Sequence, residues 1–493
     1  RSIMKPNILL VTLDQFRGDC LSIAGHPVVQ TPQLDRLSRA GVRFSRHYSQ
    51  ASPCAPGRAS LYTGMYQMNH RVVANGTPLD DGFDNIARTA RRAGYAPALF
   101  GYTDQSIDPR ITESADDPRL QTYEGVLPGF DSIVDLTRGY GPWRRFLAAN
   151  GHDASGGVLH LLSTEHERPA DMSVSAFMTN ELLGWMGEQS EPWFAHASFI
   201  RPHPPYSAAG HFGSMYSPDN VGQPIARAES VPPFHEVMLQ LDSTKAPTDV
   251  DELAHMRAQY FGMVSEVDSQ LGRVWDFLES TGQWENTVIV VVADHAELLG
   301  DHGLKEKLGY WETSQHIVGI VRDPRHADTH GTVIDKFTEN VDVFPTLCDV
   351  MGIDIPAQCD GVPLTHFVRG TEPPWWRDAA HWEYDWRFVL IPHDKHQWPW
   401  QRRLEQMNLA VRRSDTHAYV QFGDGEYVCF DLEADPTWRT TTNDDAVIAR
   451  EARAMLVWRM EHANRQNTGL LVEDGGVGRW PSGVHWRKDA PTA

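Results

Sequence analysis

The apolar positions of this chain fall into short continuous runs that end abruptly in polar residues. Residues Asn7–Leu13 form a run of the kind buried on both faces of a parallel sheet, and it stops at Asp14-Gln15. Residues 96–100 stop at Gly101-Tyr102, residues 193–200 at Arg201-Pro202-His203, and residues 287–293 at Asp294-His295. Helical patterns lie between these runs. Thr31-Pro32 offers an N-cap and a first-turn proline, Leu34 and Leu37 share a face, and Gly41 marks the stop. Residues 85–93, 249–278 (with Leu253, Met256, Tyr260 and Met263 at helical spacing) and 341–351 predict further packing helices. Such alternation predicts an open, mostly parallel α/β sheet. In such sheets ligands bind outside the carboxyl ends of the strands, so four strands ending in reactive side chains imply one shared crevice.

The texture changes near Arg377. Short strand-like runs at 409–412, 418–421 and 427–430, with Asp424-Gly425 as a turn signal, predict a smaller antiparallel C-terminal subdomain. An amphipathic helix at 447–462 and a Gly-rich tail from Asn467, containing Trp480 and Trp486, follow. The expected division is a catalytic α/β unit at 1–376, an α+β subdomain at 377–466 and a tail at 467–493. The last helix and the tail are expected to cover a partner surface in a homodimer or homotetramer.

Composition narrows the function classes. With 44 Lys+Arg against 65 Asp+Glu, the 493 residues carry a formal charge of −21, which argues against nucleic-acid or anionic-membrane partners. No run approaches the roughly 18 apolar residues of a membrane span, so a soluble chain is expected. The start, Arg1-Ser2-Ile3-Met4-Lys5-Pro6, has no signal-sequence pattern, and Met4 is read as a native start. Five scattered cysteines (Cys20, Cys54, Cys348, Cys359, Cys429) form neither a disulfide framework nor a zinc cluster, and the expected compartment is cytoplasmic.

The sharpest local signal is Ser52-Pro53-Cys54-Ala55-Pro56-Gly57-Arg58, a C-x-P-x-R spacing before a helix-like stretch that Gly64 ends. Cys54 at a helix N-terminus would face unpaired amides that favour negative charge. A thiolate phosphatase loop wants a longer arc between Cys and Arg. The plainer reading is a buried Cys with a surface Arg. Metal binding is suggested independently: Asp14 and Gln15 follow one strand and Asp294 and His295 another, with Cys54 between them in the sequence. An all-oxygen set would favour calcium or magnesium, whereas His295 tilts the site toward manganese or zinc. One divalent ion is expected, with manganese first and calcium or zinc as alternatives.

The C-x-P-x-R stretch resembles the sulfatase signature, whose cysteine is oxidised to formylglycine. The resemblance extends through Asp14-Gln15, Asn75, Gly101-Tyr102-Thr103, Arg201-Pro202-His203-Pro204-Pro205-Tyr206, Asp294-His295, Gly300-Asp301-His302 and Lys307-Leu308-Gly309-Tyr310. It is closer to the bacterial phosphonate monoester hydrolase and arylsulfatase branch of the alkaline phosphatase superfamily than to lysosomal-type sulfatases, because Gly101-Tyr102-Thr103-Asp104 stands where the latter carry G-K-W-H.

This resemblance implies an alkaline-phosphatase-like fold and maturation of Cys54 by a formylglycine-generating enzyme. One hydroxyl of the hydrated aldehyde would attack sulfur or phosphorus, and loss of a proton from the other would release the transferred group. Arg58 would orient or neutralise the nucleophile. Asn75 and Tyr102 would donate to non-bridging oxygens, and His203 and Lys307 would act as protonated donors near the leaving oxygen. Small anionic esters are the implied substrates: aryl sulfates, phosphonate monoesters and phosphodiesters.

Three departures stand out. Asp104 replaces a short hydroxyl residue and would repel a dianion, or else is turned away, binds a substrate cation or serves as base in hemiacetal collapse; Ala296 replaces a glycine and would constrain the turn; His316 and Val318 alter a segment expected at the pocket rim. His47, His70 and His302 are read as structural. Trp143, Trp311, Trp398 and Trp400 either line a leaving-group pocket or pack. The competing readings are a catalytically silent binding protein with unconverted Cys54 and a metal-dependent phosphodiesterase with a Ser/Thr nucleophile.

Overall fold

The computed structural model describes residues 5–387 and 406–463, with the backbone of 471–472 and 478–479. Trp398, Trp400, Trp480 and Trp486 lie outside the described residues, as does most of the tail expected to reach a partner. Nine strands form the main sheet: β1 (Asn7–Leu13), β2 (Val42–Tyr48), β3 (Ala98–Gly101), β4 (Asp131–Asp135), β5 (Phe194–Phe199), β6 (Thr287–Val292), β7 (His316–Ile317), β8 (Gly319–Arg322) and β9 (Thr332–Glu339). Their order is β4-β3-β5-β1-β6-β8-β2-β7, with β9 against β2. Strands β4, β3, β5, β1 and β6 pair in parallel, and β8 runs antiparallel to both β6 and β2.

Alternation along β1 shows why its apolar run is continuous. Leu9, Val11 and Leu13 enter a core shared with Tyr260, Met263 and Val267 of the long helix Val250–Ser280, while Ile8 and Leu10 enter a second core with Ala55 and Leu61 of the helix Cys54–Thr63. Both faces of the sheet are thus covered, and the helix that carries Cys54 is buried along its whole length. Gly64 ends that helix with φ 69°, its amide bonded to the Ser60 carbonyl.

The expected Thr31 cap is corrected. The Thr31 hydroxyl donates to Asp35 at 3.1 Å instead, and the free amides of Gln33 and Leu34 donate to Asp268 of the long helix at 3.1 and 2.7 Å. A carboxylate from a packed neighbour has displaced the local cap, because one charged acceptor can serve two amides at once.

A second sheet is antiparallel, with β10 (Ala379–Asp385), β11 (Asn408–Ser414), β12 (His417–Phe422) and β13 (Tyr427–Asp431) in that order, followed by the helix Asp445–His462. Trp382, Tyr384, Val411 and Val420 share a core with Leu298, Leu304, Tyr310 and Trp311. The small sheet therefore packs directly on the loop that follows β6. Trp143 and Trp311 are fully buried, so both pack rather than line an opening. No described helix is long and apolar enough to cross a membrane.

Gly57 marks where the Cys54 helix meets the main sheet. A Cβ there would lie 2.5 Å from the Asp294 carbonyl oxygen and 2.9 Å from that of Ala51. Both obstacles are backbone and cannot swing aside. Gly57→Ala is therefore expected to destabilise the fold by about 1–3 kcal/mol, read from the denaturant midpoint; an unchanged midpoint would show that the helix can shift freely.

Candidate active site

The carboxyl ends of β3, β5, β1 and β6 lie side by side, and the residues just past them converge on the N-terminus of the Cys54 helix. Asp14 and Gln15 follow β1, with Gln15 held at φ 70°, a left-handed conformation unusual for a side chain of this kind. Asp294 and His295 follow β6. The Asp294 Oδ1 accepts from the backbone amides of Gln15 (3.1 Å) and His295 (2.9 Å), which fixes the carboxylate against both strand ends.

One ligand atom each from Asp14, Cys54, Asp294 and His295 lies within 4.8 Å of the others, and all four residues are buried. His295 is oriented for this role. Its Nδ1 donates to the Ala296 carbonyl at 3.1 Å, so the lone pair of Nε2 faces inward, 3.2 Å from Cys54 Sγ and 3.8 Å from Asp14 Oδ1. Ala296 therefore does not hinder the turn; its amide bonds the Ser314 carbonyl and its own carbonyl sets the imidazole.

Arg58 lies behind the nucleophile position and is fully buried, which removes the surface-arginine reading. Its Nε donates to Asp294 Oδ2 at 3.1 Å, Nη2 to Asp14 Oδ2 at 3.3 Å, and Nη1 to Ser198 Oγ at 2.9 Å and Tyr62 Oη at 3.1 Å. Asp104 approaches the same Nε at 3.8 Å. Three acidic side chains thus face one guanidinium. Burial, then Asp294, raises the Asp14 carboxyl; burial also pushes Asp294 up, but His295 and Arg58 outweigh it and hold it below the usual range. The excess of buried carboxylate and the inward imidazole fit a divalent cation held by Asp14, Asp294 and His295.

The Cys54 thiol is not acidified by its helix. Burial and the neighbouring Asp14 push it well above the ordinary thiol range, against the expectation that the helix N-terminus would favour an anion there. The amides are also partly spoken for, since Ala55 N donates to Asn75 Oδ1 at 2.9 Å. Asn75 is exposed and sits directly at that N-terminus. Tyr102 is placed differently from the expected role: its hydroxyl donates to Asp14 Oδ2 at 2.6 Å, and its carbonyl accepts from Arg58 at 3.4 Å.

His203 and Lys307 meet on the far side of Gln15. Lys307 Nζ donates to Gln15 Oε1 at 3.0 Å, His203 Nε2 at 3.2 Å and Glu306 Oε2 at 3.2 Å. His203 Nδ1 donates to the Pro204 carbonyl at 2.5 Å, so Nε2 must act as the acceptor from the ammonium. The expectation of a protonated His203 is corrected on that geometry. Burial and the Lys307 charge lower it to about 4. Burial also opposes the Lys307 charge, but the neighbouring carboxylates, Glu306 foremost, outweigh it and keep the amine protonated.

Asp104 is turned toward the site and not away from it. Burial raises its carboxyl to about 8, with Arg58 opposing and Asp14, Glu124 and Asp294 adding to the rise. His316 and Val318 do not border this group: the His316 ring donates to the Ser45 carbonyl at 2.8 Å and Val318 is buried in the core. His47 bonds Thr338 and Asn340, and His70 bonds Ser60, as expected of structural groups.

Ser198, Tyr62 and His196 were not anticipated. The Tyr62 hydroxyl bonds His196 Nε2 at 2.8 Å while accepting from Arg58, and His196 Nδ1 donates to the Leu10 carbonyl at 3.1 Å. Their signal was available, since His196 and Ser198 are polar residues inside a strand buried on both faces, where an unpartnered polar group is costly.

Comparison with known proteins matches this geometry. The family model described as Sulfatase matches residues 6–353, and that described as N-sulphoglucosamine sulphohydrolase, C-terminal, matches residues 300–465. The multifunctional alkaline phosphatase superfamily protein PehA of Trinickia caryophylli is 34% identical, with 96% of this chain and 99% of that protein covered. An arylsulfatase of Clostridium perfringens is 27% identical over 82% of this chain and 87% of its own length. The solved structure of the phosphonate monoester hydrolase of Agrobacterium radiobacter superposes with a TM-score of 0.89 at 38% identity, covering 97% of this chain and all of that one. With the Sulfatase model spanning well over half its length around a buried Cys54–Arg58 centre, the chain belongs to the sulfatase family of the alkaline phosphatase superfamily.

Proposed function

We propose that this protein is a formylglycine-dependent hydrolase of sulfate monoesters, phosphonate monoesters and phosphodiesters. The observation that carries the reading is the placement of Cys54 Sγ between Asp14 and His295, with Arg58 bridging both carboxylates behind it. A raised thiol is a poor nucleophile in its own right, which suits a cysteine that serves as the precursor of another group. Conversion by a formylglycine-generating enzyme would supply a hydrated aldehyde there, with one hydroxyl to attack and one to expel the transferred anion. The phosphonate monoester hydrolase and arylsulfatase relatives support the phosphonate monoester and aryl sulfate parts of that range by name, while phosphodiesters rest on the family resemblance alone.

Asp14, Gln15, Asp294 and His295 would hold a divalent cation, manganese by the mixture of carboxylate, amide and imidazole donors, which lowers the pKa of the attacking group and offsets charge on the transferred one. The chain's own groups do the rest. Arg58 fixes the two carboxylates, Lys307 supplies a permanent positive charge near the leaving oxygen, and neutral His203 accepts from Lys307 and orients it.

Three expectations test this reading. Peptide mass analysis should find Cys54 without its thiol mass, and Cys54→Ala should lower multiple turnover by roughly a thousand-fold or more. Chelation should abolish turnover, with manganese restoring it best. An unconverted Cys54 with no turnover would mark a silent binding protein, and full restoration by calcium alone would overturn the metal assignment.

The second expectation concerns proton traffic. Because His203 is neutral above about pH 4, its protonation cannot shape kcat/KM between pH 5 and 8. His203→Gln, which keeps an acceptor, should lower kcat/KM by roughly a hundred-fold while leaving the profile's shape unchanged over that range. An ionisation near 6.5 present in the wild type and missing in the variant would contradict this.

The third concerns charge selection. Asp104 is largely protonated below about pH 8 and ionised above it, so its repulsion of a doubly charged phosphate monoester should grow as pH rises through that value. The wild-type preference for phosphodiesters over phosphate monoesters should rise accordingly. Asp104→Thr should remove that rise and improve phosphate monoester turnover roughly ten-fold at alkaline pH. Identical ratios in the two proteins across pH 6–9 would leave Asp104 without a role in selection.

A further inference from the structure

Gln15, like His295, is an expected cation ligand whose donor atom is not fixed by its own chemistry. A carboxylate offers oxygen on both sides, but an amide can present either Oε1 or its NH2, and the latter would repel a cation. The surroundings of Gln15 decide the matter. Its Nε2 donates to Glu297 Oε2 in a short contact and to Glu306 Oε2 at 3.1 Å. The Lys307 ammonium can only donate, so the amide atom that faces it is the oxygen, and the NH2 is the side turned to the two carboxyl groups. Oε1 is left on the opposite side, where it meets Lys307 Nζ at 3.0 Å.

Glu297 is fully buried and serves more than Gln15. Its Oε2 also accepts from the Tyr206 hydroxyl at 3.0 Å. Its Oε1 accepts from the backbone amides of Leu299 (2.8 Å) and Glu306 (2.7 Å), which ties together the two ends of the loop between β6 and Lys307. That loop includes Leu299, His302 and Glu306 at positive φ, conformations a side chain adopts only when its surroundings hold it. One carboxylate therefore closes the loop with one oxygen and aims the Gln15 amide with the other.

We propose that Glu297 is a positioning residue for the cation site: it presents Gln15 Oε1, not the amide nitrogen, to the cation, and sets Lys307 beside it. Glu306 takes the second amide proton and completes the orientation. This rests on the metal reading above, in which Gln15 is a ligand. Groups that orient a metal ligand from behind commonly govern affinity for the ion as much as the chemistry.

The test is manganese binding by titration calorimetry on the chelator-stripped full chain, alongside turnover at saturating manganese. Glu297→Gln keeps the size of the side chain but lets the Gln15 amide turn over. It is expected to weaken manganese binding by roughly 10- to 100-fold and, because Glu297 also sets Lys307, to lower kcat at saturating manganese as well. A purely structural role would leave manganese affinity within about two-fold of the wild type in the folded variant. In a Gln15→Met background the same change at position 297 should cost little further affinity, because the two residues act through one amide; additive losses would overturn the proposal. Should Glu297→Gln fail to fold by circular dichroism, Glu297→Asp keeps the charge and shortens the reach, and is expected to weaken binding by about ten-fold. Wild-type binding with either folded variant within two-fold of it would refute this inference alone. A wild-type chain that binds no cation would refute the metal reading, and this inference with it.

Discussion

The structure turns on a single buried guanidinium. Arg58 has no exposed surface, yet it must balance Asp14, Asp294 and Asp104, all of them buried as well. Burial raises the carboxyls of Asp14 and Asp104, and their acidic neighbours add to the rise while Arg58 opposes it. A site in this condition has a standing affinity for positive charge, because removing one partner from a buried ion group leaves the others unpaired in a medium that screens them poorly. The acidic surface of the whole chain is a separate matter. What governs the chemistry is the local balance at the ends of four strands.

That balance is possible because the sheet gathers residues remote in sequence. Asp14 and Asp294 are 280 positions apart, but β1 and β6 are hydrogen-bonded neighbours in parallel register, so their carboxyl ends leave the sheet together. The Cys54 helix meets them through Gly57, where only a residue without a Cβ allows its backbone to touch the Asp294 carbonyl. Close packing is thus what brings Cys54 Sγ within reach of His295. The clash expected of an added methyl lies on the same contact that places Cys54.

Much of this was legible in the residues themselves. Strands buried on both faces declare themselves as continuous apolar runs, and a reactive residue one or two positions past such a run can only lie at the sheet's edge, so Asp14, Asp294 and His295 were readable without any fold. Cys54 and Arg58 were readable from their spacing. What could not be read depends on burial and on turns. The neutral state of His203 follows from a Pro204 carbonyl on one side of the ring and an ammonium on the other, and neither contact is implied by a Pro-rich stretch. The Asp268 cap of the helix Pro32–Arg39 bridges some 235 residues and overrides a sound local signal at Thr31. Glu297 and Glu306 act through a loop whose course depends on several left-handed residues, and no periodicity announces such a path.

This last point gives the C-terminal sheet a role in the chemistry. Strands β10 to β12 contribute Trp382, Tyr384, Val411 and Val420 to the core that encloses Leu298, Leu304, Tyr310 and Trp311, and the Trp382 indole donates to the Tyr310 carbonyl at 3.1 Å. Those residues flank Lys307 on both sides. The loop between β6 and Tyr310 is thus held from within by the Glu297 carboxylate and from without by an aromatic layer belonging to the second sheet. Burial works against the Lys307 charge, and the nearby carboxylates of Glu306 and Asp14 outweigh it, so the charge depends on the loop holding the ammonium beside them. The position of Lys307 therefore depends on the packing of a sheet formed some 70 to 120 residues further along the chain.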